Sequence, residues 1–345
     1  MNATLAARDS SLSSVVLQEL KAGGFSPQRL AGAEAFCQAF FARVGEGDGR
    51  LHTPVQWAAL VGGLLDFIEQ RAPGRASVRV LNPQNEMAGR SLLQVVTDDM
   101  PFLVDTVSMV VVTQLQIHAV IHPVVEAQRD SAGKLTGIGA GGRAESIMHF
   151  EIDRVGGADE QARLIADIEA ALEDVRAAVT DWTAMRDKAL ALATELPQRE
   201  FPADRASVAE AGEFLRWIAA DNFTFLGYRE YVVADADGDR VLRAVDGSGL
   251  GILRKGERTL APRSLKTLAA TDLPQQGATD AVILTKTNAR SHVHRSGYMD
   301  YIGVLQFDAA GKAVAEQRFL GLFTANAAMT RPQDVPLVRR KVETV

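Results

Sequence analysis

The sequence predicts an α+β chain in which N-terminal helices precede two domains built mostly on antiparallel sheet. Three observations carry this reading. Ser26-Pro27 and Thr53-Pro54 each stand before an amphipathic stretch; a hydroxyl followed by proline starts a helix, because the hydroxyl accepts an orphan backbone N–H and proline has none to lose. After Gly74 the texture turns to short runs in which apolar and polar residues alternate, the period of half-buried strands. Near the C-terminus, Asp308-Ala-Ala-Gly-Lys312 separates two such runs as a hairpin turn.

Taken in order, helices are expected over 12–22, 26–44 and 54–71, the last stopping at Pro73-Gly74. "ASVRVLNP" and "SLLQVVTDD" read as strands, 101–115 as a helix, "QIHAVIHPVVEAQ" and "ESIMHFEIDRV" as strands, and 158–196 as a long helix. A second set follows "LPQREFP": a helix near 206–221, then strands in "FTFLGYREYVVA", "DRVLRAV", "AVILTKTNARSHV", "YMDYIGVLQFD" and "AVAEQRFLGLFT". This gives an N-terminal helical segment over 1–74, a βαββα domain over 75–200 and a second, mostly antiparallel α+β domain over 201–345. Pro336 opens what reads as a last helix, "VPLVRRKVETV", about two and a half turns long, as expected of a longer protein that has been cut.

Composition excludes several classes. A net charge of −6 and a pI near 5.6 leave no basic face for nucleic acid or an anionic membrane. Cys37 is the single cysteine, so neither a disulfide framework nor a thiolate metal cluster is expected, which suits a reducing cytoplasm. The N-terminal "MNATLAARDSSLSS" lacks the charged n-region and apolar core of a signal peptide.

The stretch "TDDMPFLVDTVSMVVVTQ", residues 97–114, poses the functional question. Its apolar run is about fifteen residues and contains Asp105, whereas crossing a bilayer takes about twenty. A buried helix is the better reading. Leu103, Val107, Val110 and Val111 form one stripe, and Val104, Ser108, Val112 and Leu115 another; two apolar stripes call for two packing partners, its own sheet and a neighbouring module. Asp98 and Asp99 then lie where carboxylates cap a helix start and complement its dipole, rather than forming an acid/base pair.

Two glycine motifs fail the test for a dinucleotide site. "GIGAGG" at 137–142 matches G-x-G-x-x-G, but "SIMHFEI" after it alternates like a strand, so no helix N-terminus would meet a pyrophosphate and a hairpin loop is expected. "DGSGLGILRKG" at 246–256 has neither the spacing nor a following helix. No cofactor site, catalytic constellation or metal site is assigned. His118 and His122 lie about 13 Å apart on a strand and cannot share an ion, though His149 can join one of them on a sheet face. His292 and His294, about 6.6 Å apart on one strand face with Asp300 beyond the turn, are the best pair for a metal-dependent hydrolase. Arg290, His294, Arg295 and Tyr298 read instead as a surface for an anion or another domain.

The order strand, "DDMPFLVDTV", helix, strand, strand, helix resembles an ACT domain, a small module that often senses amino acids in metabolic enzymes. In that family the first strand ends in Asp-x-Pro-Gly-x-Leu; here Asp99, Met100, Pro101, Phe102, Leu103 and Val104 hold those places, with Phe102 standing for the glycine. The strand at 76–82 is a substitute for the fourth ACT strand. Longer phrases, among them "IHAVIHPVV", "FLRWIAADNFTFLGYREY", "TKTNARSHVHRSGYMDYIGV" and "RFLGLFTANA", resemble landmarks of the N-terminal region of the large NAD-specific glutamate dehydrogenases of bacteria, from about 75 to 342. The resemblance implies ACT-like and PAS-like modules ahead of a separate catalytic domain, homo-oligomers, and NAD for the parent enzyme. It implies a non-catalytic regulatory or oligomerisation segment whose partners are downstream domains of the same polypeptide, with Asp98, Asp99, Pro101, Phe102 and Asp105 at an effector or interface position. A free-standing amino-acid sensor is the alternative.

Overall fold

The computed structural model describes residues 2–45, 47–84, 89–199, 205–236, 239–254 and 281–342. The expected domain junction near 200 and the last three residues lie outside them. The chain divides into two compact units, 1–172 and 173–345, with the division inside a long helix. That falls elsewhere than the expected boundaries at 75 and 201, and it places the first helices in the same unit as the first sheet.

Unit 1 begins with α1 (Asn2–Ala22), α2 (Pro27–Phe41) and α3 (Pro54–Ile68). The α3 start is the one the sequence announces. Thr53 Oγ1 accepts from Gln56 N–H at 3.3 Å and Gln56 Oε1 accepts from Thr53 N–H at 2.8 Å, a reciprocal cap with Pro54 at the first helical position. The strands are β1 (Ser77–Leu81), β2 (Arg90–Asp98), β3 (Ile117–Ile121), β4 (Val124–Arg129), β5 (Leu135–Ile138) and β6 (Arg143–Asp153), with α4 (Leu103–Val112) between β2 and β3. Their order is β1-β2-β6-β4-β5, with β3 also on β6. The extra strand at 76–82 is thus real and lies beside β2.

Two details differ from expectation. The single strand expected over 116–128 is broken at Pro123, which has no N–H for a ladder, so β3 and β4 pair in succession along β6. "GIGAGG" is not a hairpin loop. Strand β4 separates β5 from β6 in the sheet, and the loop crosses its middle so closely that a Cβ on Gly142 would lie 2.7 Å from the Glu126 and Ala127 backbone.

Strand alternation gives this sheet two apolar faces. Val96, Ile121, Val125 and Ile147 pack against Phe36, Phe40, Trp57, Leu64 and Ile68 of α2 and α3. Leu93, Val95, Met148, Phe150 and Ile152 line the opposite face and are fully buried. Helix α4 lies beside β3. It buries Leu103, Thr106, Val107 and Val111, while Val112 is 60% exposed. Val110 is only half-buried, so the inner stripe runs through Thr106 instead.

Helix α5 (Ala158–Glu195) leads to α6 (Arg205–Trp217) in unit 2. The strands are β7 (Phe223–Ala236), β8 (Asp239–Ala244), β9 (Leu250–Gly251), β10 (Val282–Arg290), β11 (Tyr298–Phe307) and β12 (Ala313–Phe323). The order is β10-β11-β12-β7-β8 with β9 on β7, and every pairing is antiparallel. Met185, Ala189 and Leu192 of α5 and Phe214 and Leu215 of α6 pack on Phe225, Tyr228, Ile302 and Phe319. The 308–312 hairpin forms, with Asp308 Oδ1 accepting from Ala310 and Lys312 N–H. Two short helices, α7 (Ala325–Met329) and α8 (Val338–Val342), follow. Pro336 does not open α8. Leu337 takes a left-handed φ of 69° between them, and its N–H is accepted by Glu210 at 3.0 Å.

Candidate functional site

The strand-to-helix junction does not use its aspartates as caps. Successive strand residues face opposite ways, and Asp98 at the end of β2 turns toward α3, where Arg71 Nη2 donates to it at 2.6 Å. Asp99 is exposed, its N–H donates to the Ala144 carbonyl at 3.0 Å, and its carboxylate acts electrostatically on His122. The α4 cap position is Phe102, with no side-chain cap hydrogen bond. The two carboxylates therefore do not form a pair, and the cap reading is corrected. Pro101 and Asp105 are exposed on the same turn, Asp105 in the first turn of α4 where it complements the dipole.

Phe102 stands in the left-handed region, φ 75° and ψ 1°. That conformation places Cβ against the following carbonyl and costs a non-glycine residue roughly 1–2 kcal/mol, so the position demands glycine on backbone grounds. Here a half-buried phenylalanine bears the strain.

Asp98 belongs to a network that the sequence reading missed. Arg71, nearly fully buried, also donates to Glu145 Oε1 at 2.7 Å. Arg129 reaches both Glu145 oxygens at 2.7 and 2.8 Å, and donates to the Gly133 and Ile68 carbonyls. Burial raises the Glu145 carboxyl, but the hydrogen bonds from Arg129 and Arg71 outweigh it and hold it below the usual range. Two cations meet two anions, and the group ties the end of α3 to β2, β4 and β6.

A second buried group lies on the same sheet face. Arg79 Nε donates to Gln94 Oε1 at 2.7 Å, and Gln94 Nε2 donates to His149 Nδ1 at 3.2 Å, which leaves the proton of the neutral ring on Nε2. That Nε2 has no partner among the described residues. Burial pushes His149 down to about 4, so it is neutral at pH 7. Beside it, His52 Nε2 donates to Glu151 Oε1 at 2.6 Å, and Arg90 pairs with the other oxygen at 2.5 Å. Burial raises the Glu151 carboxyl, yet these two bonds hold it at about 2. The sequence did carry a signal: Glu145, His149 and Glu151 stand two or four apart among the apolar residues of β6, hence on one face.

The remaining histidines are dispersed. His118 pairs with Asp153 at 2.8 Å and His122 with Ser146. His149 joins Gln94 rather than either of them. His292 and His294 are not on a strand, because β10 ends at Arg290 and both lie in the 291–297 connection. His294 has a left-handed φ of 70°, and Asp300 is committed to Lys286 at 2.6 Å and to Phe323 N–H at 3.2 Å. Among the described residues no group of three His, Cys, Asp or Glu is placed to hold a metal ion. Arg295 is exposed and donates to the Phe323 carbonyl at 2.7 Å. Arg290 lies 4.9 Å from the ring centroid of Tyr298, which is 51% exposed, so these two remain a surface pair.

The order β2, α4, β3 with β4, β6 and α5 on an antiparallel sheet is the βαββα order of an ACT-like domain. Residues 36–168 match the family described as glutamate dehydrogenase, ACT1 domain, and the chain carries that domain. The match begins inside α2, in keeping with the core that α2 and α3 share with the sheet. The chain is similar over most of its length to NAD-specific glutamate dehydrogenases: 35% identical over 81% of the chain to that of Halomonas elongata, and 34% over 82% to that of Pseudomonas aeruginosa. The Mycobacterium tuberculosis protein is 29% identical over 82% of the chain. The chain spans about 18% of the length of the first two relatives. No described helix is long and apolar enough to cross a membrane.

Proposed function

We propose that this chain is a non-catalytic regulatory and oligomerisation segment of an NAD-dependent glutamate dehydrogenase, whose oxidative deamination of L-glutamate to 2-oxoglutarate is carried out by another part of the same polypeptide with NAD. The observation that supports it most is the coverage: similarity extends over 81% of the chain and only 18% of the relative. The chemistry on the page agrees with a structural and regulatory role. Asp98 is neutralised by Arg71, and the glycine motif at 137–142 is a crossing loop over β4 with a strand after it. The partners are then the downstream domains of the polypeptide and further copies of it, in the cytoplasm, and the exposed stripe around Val112 is the contact surface. An amino-acid effector at the Pro101–Asp105 turn is part of this reading, with the Phe102 ring narrowing the space for it.

The complete polypeptide, expressed from the encoding gene, is expected to reduce NAD⁺ with L-glutamate, and the 345-residue chain alone to reduce none. Deleting residues 75–200 from the complete polypeptide is expected to change its sedimentation coefficient. Glutamate-dependent NAD⁺ reduction by the 345-residue chain alone would overturn the proposal.

A further inference from the structure

The second sheet buries charge that does not balance. On β12, Glu316 is 0% and Arg318 1% exposed, both on the face away from α5 and α6, because the alternate residue Phe319 packs against those helices. Arg318 Nε donates to Glu316 Oε1 at 2.9 Å, and Nη2 reaches Oε2 only at 3.5 Å. The Tyr301 hydroxyl donates to Oε1 as well. The Arg318 guanidinium lies 4.0 Å from the ring centroid of Tyr231 and 4.9 Å from that of Tyr301. Gly303, directly opposite Arg318 on β11, keeps this space open, since a Cβ there would meet Tyr301 and Glu316 at 3.0 to 3.2 Å.

On the other flank, the residue directly opposite Arg318 is Arg229 of β7. Directly paired residues of an antiparallel ladder share a face, with Cβ atoms about 5 Å apart, and like charges in that arrangement repel. Arg229 is half-buried, and its Nε is buried with no hydrogen-bond partner. Among the described residues no carboxylate pairs with it. The patch therefore holds two guanidinium cations against one carboxylate, with an unsatisfied N–H donor and two tyrosine rings. Burying an unpaired cation beside another is costly unless an anion joins it. The spare capacity is one negative charge, and a planar guanidinium fork matches a carboxylate.

We infer that unit 2 holds a binding site for a small organic carboxylate, in which Arg229 is the anchoring cation and Arg318, stacked between Tyr231 and Tyr301, forms the inner wall. Glu316 fixes Arg318 in place, and its weakly engaged Oε2 is available to a donor on the ligand. Arg229, the only partly exposed member of the two-arginine pair, is the group a solute reaches first. This site is separate from the Pro101–Asp105 turn of unit 1 and does not depend on the proposed role of the chain in glutamate oxidation.

The test is thermal unfolding of the full 345-residue chain with acetate, succinate, L-glutamate and 2-oxoglutarate, against sodium chloride at matched ionic strength and inorganic phosphate. At least one carboxylate is expected to raise the melting temperature saturably, by about 5 °C or more at a hundredfold excess over its dissociation constant. Arg229→Met is expected to melt at or above the unmodified chain without ligand, because it removes an unpaired cation, and to lose the carboxylate-dependent rise. Arg229→Lys keeps the charge without the fork and is expected to weaken binding at least tenfold. No saturable rise with any carboxylate, a rise that chloride reproduces, or a rise that survives in Arg229→Met would each overturn the site. A rise with phosphate alone would overturn the assignment to carboxylates.

Discussion

The two sheets of this chain both bury arginine and glutamate, and they do so to opposite ends. In unit 1, Arg71 and Arg129 face Asp98 and Glu145, charge for charge, with Arg71 Nη1 and both Arg129 Nη groups also on backbone carbonyls and only Arg71 Nε unpartnered. In unit 2, Arg318 pairs with Glu316, and Arg229, opposite Arg318 on β7, has no carboxylate partner among the described residues. A buried network balanced in charge acts as a brace. An unbalanced one holds a charge whose burial costs free energy until something neutralises it. The difference separates residues that hold a fold from residues that await a ligand, although both look alike in the sequence as charges within apolar strands.

Removing one member should therefore have opposite outcomes in the two sheets. Glu145→Leu leaves Arg71 and Arg129 buried without their shared partner and is expected to cost about 3–5 kcal/mol, read as a fall in the urea midpoint of the first unfolding transition. Arg229→Met is expected to cost nothing. A loss of stability as large in Arg229→Met as in Glu145→Leu would erase the contrast.

The next largest effect concerns α4. Val107 is fully buried and Val112 is 60% exposed. Val107→Asp is expected to cost several kcal/mol by burying an unpaired charge. Val112→Asp should leave the melting temperature nearly unchanged and weaken self-association in sedimentation velocity, because it places a charge in a proposed contact. Equal destabilisation by both, with association unchanged, would leave α4 with one working face.

Acid separates the sheets further. His149 is held neutral, its folded value of about 4 lying below the ordinary 6.5. The unfolded chain takes up that proton first, so the stability His149 contributes is present above pH 6.5 and is lost as pH falls from 6.5 through 4, a window of about 3 kcal/mol. Glu151 adds a second loss. Its folded value of about 2 lies below the usual 4.5, so its contribution is present above pH 4.5 and is lost as pH falls toward 2. Hydrogen exchange of β6 amides is expected to accelerate between pH 7 and 4.5, after correction for the intrinsic rate, and His149→Gln to flatten that dependence. A pH-independent β6 would mean that His149 is already solvated.

The smallest effects fall at the opening turn. Phe102→Gly relieves a left-handed strain of roughly 1–2 kcal/mol while losing half-buried ring contacts, so a net gain of under about 1 kcal/mol is expected. Asp99→Ala should move stability by less than about 0.5 kcal/mol, since its side chain caps nothing. A loss of about 1 kcal/mol there would restore the cap that the structure does not show.

The sequence by itself determined the elements whose signals are local. Thr53-Pro54 announced a reciprocal cap, Asp308–Lys312 a hairpin, and the period of "YMDYIGVLQFD" and "AVAEQRFLGLF" two paired strands, because these depend on neighbours within a few residues. It also showed that a strand, β6, follows "GIGAGG". Only the tertiary structure decided where charges went. Asp98 looked like a cap until Arg71, 27 positions earlier, claimed it. His292 and His294 looked like a strand pair until β10 ended at Arg290 and the chain turned. Arg229 and Arg318, 89 residues apart in sequence, became neighbours through the register of β7 on β12. Such pairings are set by which strands adjoin and by what is buried between them. The energy of a charge depends on that surrounding far more than on its place in the chain, and no local pattern records it.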